Sequence, residues 1–350
     1  MHRLFFVLIS LLVGQSFAAD VTNLYQSQAP VSSQSKEERQ NLAPSLLQQV
    51  ILKVVGDRSE LDTIDLSPIL AQTKQLIQQY QYHRINTISD DLTQPDRLEI
   101  LLSFNKKKLN QSLIDMGLPI WGNSRPEVII WSAIEEGNSR TILSADDSEL
   151  EAVKVLQQAA QLRGLPILLP VMDLQDQSQV TYTDLSAGFS ETVEEASQRY
   201  GAPVILMMKT SIADNGLVRT DWHALIDGES ELWQSRGDMT MAMSAGINEL
   251  TDRLAKRFSQ RVTNQYANTL SLKITDVNNY SDYARIVKYL ASLQYVSNVR
   301  LLDLVDDTLN LSLSFSGDLT VFDRTVAIDR LLIEQSSYTL NDVKTYRLSR

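Results

Sequence analysis

Hydrophobic and polar positions divide the chain into an apolar leader and three patterned stretches. Behind the short positive start Met1-His2-Arg3, residues 4–13 are apolar but for Ser10, and Ser16-Phe17-Ala18 then places small residues where a signal peptidase reads. This pattern predicts a secretory signal peptide over 1–18, cleaved before Ala19, with an apolar run too short to span a bilayer. In the next stretch, 21–31 predicts a strand, and Leu42, Leu46, Val50 and Val54 recur at helical spacing up to Gly56. That helix either starts near Lys36 with a kink at Pro44, or is capped by Asn41 with Pro44 in its first turn. A weaker helix is predicted over 67–79, strands over 80–87 and 97–104, and a helix over 106–116 stopped by Gly117.

The middle stretch opens with an apolar strand over 127–134. Asp146-Asp147-Ser148 is expected to cap a helix whose inner face is Ala152, Val155, Leu156, Ala159 and Leu162. Gly164 stops it and Pro166 leads into the apolar run 167–172. The order then repeats, with Ser190 capping, Gly201 stopping and Pro203 opening the run 204–208. Two helix-Gly-x-Pro-strand units in succession predict parallel strands beneath helices. Asn215-Gly216 and Asp227-Gly228 predict two-residue hairpin turns, and Ile247, Leu250, Leu254 and Phe258 a returning helix.

The last stretch reads strand, helix, strand, strand, helix. Leu270, Leu272 and Ile274 alternate, Ser281 caps a helix, strands over 296–305 and 308–315 flank Asp306-Asp307, and Asp318 caps the closing helix. This order is split-βαβ, and the first stretch shares it, with Leu102-Ser103-Phe104 and Leu313-Ser314-Phe315 in equivalent places. The expected architecture is therefore a central mixed-sheet α/β domain over 123–262. Two small ferredoxin-like modules flank it, over 19–122 and 263–350.

Composition narrows the function classes. Cysteine is absent, so neither disulfides nor lipid attachment through cysteine is available. The formal charge of -11 argues against nucleic acid or anionic lipid as the main partner, since both are captured by clustered Lys and Arg. No second run long enough for a membrane helix follows the leader.

Leu24-Tyr25, Pro30-Val31, Val54-Val55-Gly56-Asp57-Arg58, Gly117-Leu118-Pro119-Ile120-Trp121-Gly122, Arg125-Pro126 and Arg163-Gly164-Leu165-Pro166 together resemble the exported family called domain of unknown function 2066. The resemblance implies a periplasmic address in a Gram-negative cell. It implies no catalytic residues.

Candidate chemistry is sparse. Only His83 and His223 lie beyond the leader, far apart in sequence, so no metal or cofactor site is expected; a nucleophile elbow, a Walker loop and a dinucleotide turn are all missing. Among the acidic pairs (Asp90-Asp91, Asp146-Asp147, Asp173 with Asp176, Glu194-Glu195, Asp306-Asp307), Asp173 and Asp176 are the best placed, just beyond an apolar strand. Met239 and Met243 share a helix face, which suits core filling better than copper. Trp121 and Arg125, in the linker after the first module, are candidates for an inter-module or partner contact. The expectation is a non-catalytic envelope adaptor or assembly factor that binds another envelope protein. The alternatives are a carboxylate-dependent cell-wall hydrolase and a small-ligand-binding protein.

Overall fold

The computed structural model describes residues 19–85, 97–261, 268–293, 295–335 and 343–349. The predicted signal peptide and Asp90-Asp91 lie outside them. The first unit opens with β1 (Ala19–Asp20) and β2 (Gln26–Val31), followed by α1 (Lys36–Val55) and the short helices α2 (Arg58–Leu61), α3 (Ser67–Leu70) and α4 (Thr73–Leu76). Strands β3 (Ile77–Ile85) and β4 (Arg97–Phe104) and helix α5 (Lys106–Asp115) complete it. The sheet runs β2-β4-β3, with β4 antiparallel to both neighbours, which is the split-βαβ arrangement. Leu46, Leu47, Val50, Ile51 and Val54 of α1 pack on Ile100, Leu102 and Phe104 of β4 in one buried cluster.

Helix α1 takes the earlier of the two starts. Ser35 caps it by accepting from the Glu38 N–H, while the Glu38 carboxylate reaches back to the N–H groups of Ser32 and Ser33. Pro44 therefore lies inside the helix, and the buried apolar stripe outweighs the lost main-chain bond. The predicted helix over 67–79 is shorter than expected, because the chain turns extended at Ile77 to pair with Phe104.

The central unit comprises β5 (Ser124–Arg125), β6 (Val128–Glu136), β7 (Ser139–Ile142), α6 (Glu151–Arg163), β8 (Ile167–Leu168), α7 (Leu174–Gln179), α8 (Tyr182–Ala187) and α9 (Ser190–Ser197). It continues through β9 (Val204–Ile212), β10 (Val218–Ile226), β11 (Glu229–Gly237) and α10 (Met239–Phe258). The sheet order is β11-β10-β9-β6-β7, with β6 parallel to both β9 and β8. Alternation along β6 sends Val128 and Ile130 toward α6 and α10, and Ile129, Trp131 and Ala133 toward α8 and α9. The sheet is thus covered on both faces. Gly246 lets α10 approach closely, since a Cβ there would sit 2.0 Å from the Trp222 ring.

Four local expectations change, the first being that Ser190 is the first residue of α9 and not its cap, with no side chain capping that helix. No side chain caps α6; Asp147 instead accepts from the Ser144 N–H and hydroxyl, and Leu162 points outward. The run 167–172 stays a strand only to Leu168, because Pro170 brings no donor for a ladder. Asn215-Gly216 belongs to a longer loop in which Ala213 and Gly216 make the turn bonds, whereas Asp227-Gly228 is a two-residue turn with both residues at positive φ.

The third unit comprises β12 (Asn268–Thr275), α11 (Tyr280–Ser292), β13 (Val296–Val305), β14 (Thr308–Phe315), α12 (Leu319–Asp329), β15 (Leu332–Glu334) and β16 (Val343–Leu348). Its sheet order is β13-β14-β12-β16-β15. The first three strands repeat the topology of the N-terminal sheet, so a mixed-sheet α/β domain flanked by two split-βαβ modules describes the chain. Two details depart from the sequence expectation. Asn279 rather than Ser281 caps α11, and a final hairpin inserts β16 parallel to β12, leaving β15 at the edge. Tyr346 and Leu348 are buried at alternate positions of β16, which suits it to an interior place. No helix among the described residues is long and apolar enough to cross a membrane.

Candidate functional site

The most ordered chemistry lies where the three units meet, around residues 117–125. Helix α1 ends at Gly56, whose φ is +83° and where a Cβ would come within 2.6 Å of the Trp121 ring and 2.7 Å of Ala255. The last carbonyls of a helix have no partner within it. At the end of α1 they are met from outside: Val54 O accepts from the Trp121 N–H at 2.7 Å, Lys53 O from Arg125 Nη2, and Gly56 O from Arg163 Nη2.

Arg125 is fully buried. Its five N–H groups donate to five main-chain carbonyls: Gly122, Trp121 and Lys53, and the pair Arg163 and Gly164 at 2.8 and 3.0 Å. Two of these sets close the C-terminal ends of α1 and α6, where the helix dipoles carry partial negative charge. The guanidinium also stacks on Trp121 at 4.1 Å. The cation is thus balanced by oriented carbonyls. Burial lowers the Arg125 pKa from its ordinary value, and the carbonyls favour the charged form.

Arg163, only 2% exposed, extends the cluster. Its Nη2 pairs with Asp252 of α10 at 2.7 Å and its Nη1 reaches Asn248 Oδ1 at 2.8 Å. Asp252 also accepts from the Arg58 N–H and Nε, so one carboxylate ties α10 to α2 and α6. On the other side Gln260 exchanges main-chain bonds with Ile120, and its side chain bonds the main chain of Asp318, joining the linker to the third unit.

Lys53 is 7% exposed and donates to Gln26 O at 2.9 Å. Burial and the Arg125 charge lower its pKa from 10.5 to about 8. The unfolded chain therefore holds more protons than the folded one between those values, so stability rises with pH across that window. Above pH 10 the buried tyrosines act in the opposite direction, because Tyr289, Tyr295 and Tyr346 are all raised by burial. The unfolding free energy from urea titrations should rise by about 2 kcal/mol between about pH 8 and 9.5 in the native chain and by much less in Lys53→Met.

Beside this cluster lies a cavity of about 480 Å³ bounded by all three units. Ile120, Trp121, Phe258, Leu293, Tyr295 and Leu331 give it apolar and aromatic walls. Lys106 and Arg285 are exposed at its margin, and Asp329 in its wall accepts from the Ser124 hydroxyl and faces Tyr289.

The other sequence candidates have local partners. Asp173 caps α7 and forms a two-pronged ion pair with Arg199 at 2.8 and 2.9 Å. Asp176 is buried and accepts from Arg199, the Met172 N–H and the Tyr200 hydroxyl. The two acids meet on one guanidinium, and Arg199 holds the Asp173 carboxyl down at about 2. A glycosidase acid needs the opposite shift, a proton retained near neutral pH. His83 is exposed on β3, while His223 is half-buried on β10 with Nε2 at 2.6 Å from the Ser230 hydroxyl. Among the described residues no group of three His, Cys, Asp or Glu is placed to hold a metal. Met243 is buried in the central core with Met239 packed against it, and Met241 is exposed.

Residues 18–122 match a family described as a domain of unknown function, DUF8605. The match covers less than a third of the chain, and it overturns the resemblance to domain of unknown function 2066, since it is a different family that this segment fits. Among the residues that carried that resemblance, Gly56, Trp121, Arg125, Arg163 and Gly164 close helix ends and pack the junction. No curated protein matches the chain.

Solved structures similar to parts of it include a competence-damaged protein (CinA) superfamily protein from Enterobacter cloacae, at 16% identity over 43% of this chain and 88% of that one, with a TM-score of 0.20. A CinA superfamily protein from Escherichia coli shows 15% identity over 42% and 84%, with a TM-score of 0.21. A formyltetrahydrofolate deformylase from Burkholderia mallei shows 10% identity over 58% and 90%, with a TM-score of 0.16. Likenesses at TM-scores this low support no inference about fold or function.

Proposed function

We propose that this is an exported periplasmic adaptor without catalytic activity, which binds another envelope protein through the free edge of its C-terminal sheet. The observation that carries the reading is β13. It is ten residues long, its outer edge is unpaired among the described residues, and its second half is apolar and exposed, Leu304 at 50% and Val305 at 59%. Tyr280, 80% exposed, stands with Tyr283, Leu301 and Leu304 around a groove of about 410 Å³ beside that edge. Irregularities at Val296/Asn298 and Leu301/Asp303 and the charge of Asp303 limit indiscriminate pairing along this edge, while Leu304 and Val305 beyond them stay bare.

The occupant that suits it is an extended segment of the partner adding as a further strand, with apolar residues in the groove. Its basic residues would lie against exposed Asp303, Asp306 and Asp307 at the end of β13. Export is supported by the leader pattern of residues 1–18, and the ion-paired state of Asp173 and Asp176 favours binding over hydrolysis.

A photocrosslinking residue at Leu304 in intact cells tests this, with the same probe at exposed Glu191 as the control. The expected result is an adduct with an envelope protein at 304 and not at 191. That partner, once purified, should bind at least ten-fold more weakly to Leu304→Asp. An adduct only between two copies of this chain, or none at all, refutes it. The exported form should begin at Ala19 on N-terminal sequencing; a chain that keeps residues 1–18 in the cytoplasm refutes export.

A further inference from the structure

We infer that the cavity at the three-unit junction is a binding site for a small amphipathic carboxylate. Its size falls in the range of about 300–1,000 Å³ typical of ligand sites, and its walls come from all three units, so it exists only in the assembled chain. Trp121, Phe258, Leu293 and Leu331 are buried yet line open space, and a hydrocarbon or aryl body would fill it.

The charges select the headgroup. In a chain of net charge -11, the charged residues around the cavity are Lys106, Arg285 and Asp329. Asp329 accepts from the Ser124 hydroxyl, deep in the wall. Lys106 and Arg285 are exposed at the margin, and the two cations together favour an anion at the opening with its apolar end inside. A medium-chain fatty carboxylate or an aryl-alkanoate has that form. None of these residues belongs to the β13 edge, so this site and the adaptor reading stand or fall separately.

The experiment uses the full mature chain and calorimetric titration with decanoate, decyltrimethylammonium and decanol, each below its micelle or solubility limit. Decanoate should bind saturably, one per chain, and raise the melting temperature. The cation and the alcohol should bind at least ten-fold more weakly. Arg285→Glu, a surface change that among the described residues loses a bond to the Ser349 carbonyl, should weaken decanoate ten-fold or more. Leu293→Trp, which fills the cavity, should abolish binding. No saturable binding, equal binding of all three probes, or full binding by Arg285→Glu overturns the inference, and Arg285→Glu decides it even if Leu293→Trp fails to fold.

Discussion

Arg125→Met should lower the unfolding free energy by roughly 5 kcal/mol, taking the lower end of the cost for each of the five carbonyls left without a donor. Methionine fills similar space and keeps apolar contact with Trp121, so the loss would come from the polar groups and not from a void. Three of the carbonyls at stake, those of Lys53, Arg163 and Gly164, end α1 and α6, and these helices belong to different units. Urea unfolding should therefore show a midpoint far below that of the native chain. Arg125→Lys should recover little, because an ammonium offers three donors from a point where the guanidinium offers five from a fork. A midpoint within experimental error of the native chain would show that the helix ends find water once the arginine is gone.

Asp252→Ala should cost about 3–5 kcal/mol. The change strands Arg163, 2% exposed, whose positive charge loses the carboxylate it pairs with, and it also frees the Arg58 main-chain N–H. The double variant Asp252→Ala with Arg163→Met should be more stable than Asp252→Ala alone, since it removes the stranded charge as well. Chemical denaturation of the four chains in that cycle measures the coupling. Additive losses would contradict the ion pair.

The regular elements were legible where pattern and punctuation agreed. Arg97–Phe104, Val296–Val305 and Thr308–Phe315 have the bounds that alternation and flanking turns predict, and Asp318 caps α12 as its position suggests. What was not legible depended on distant partners. Pro44 inside α1 is tolerated because the helix buries its stripe against β4, a contact no local window contains. The final hairpin escaped notice because β15 has three residues, too few for a pattern, and because β16 is defined by its pairing with β12. Trp121 and Arg125 stood out as an aromatic and a cation in a linker. Of their companions, Gly56 is legible as a helix stop and Arg163 as part of a short motif, but neither these roles nor Asp252 points to the junction, which forms only when three helices converge.

Because β16 lies between β12 and β15, the C-terminal sheet stays open until the chain from residue 343 onward arrives. A neighbouring-strand hairpin such as β13–β14 closes within about 1–10 μs, whereas pairing Ser271 with Val343 waits for a long loop to close. A chain that emerges amino end first into the compartment where it folds thus passes through a state in which β12, as well as β13, offers a bare backbone edge. Slowing its emergence between residues 316 and 343 lengthens that state, and a chaperone that grips extended backbone has its best opportunity there.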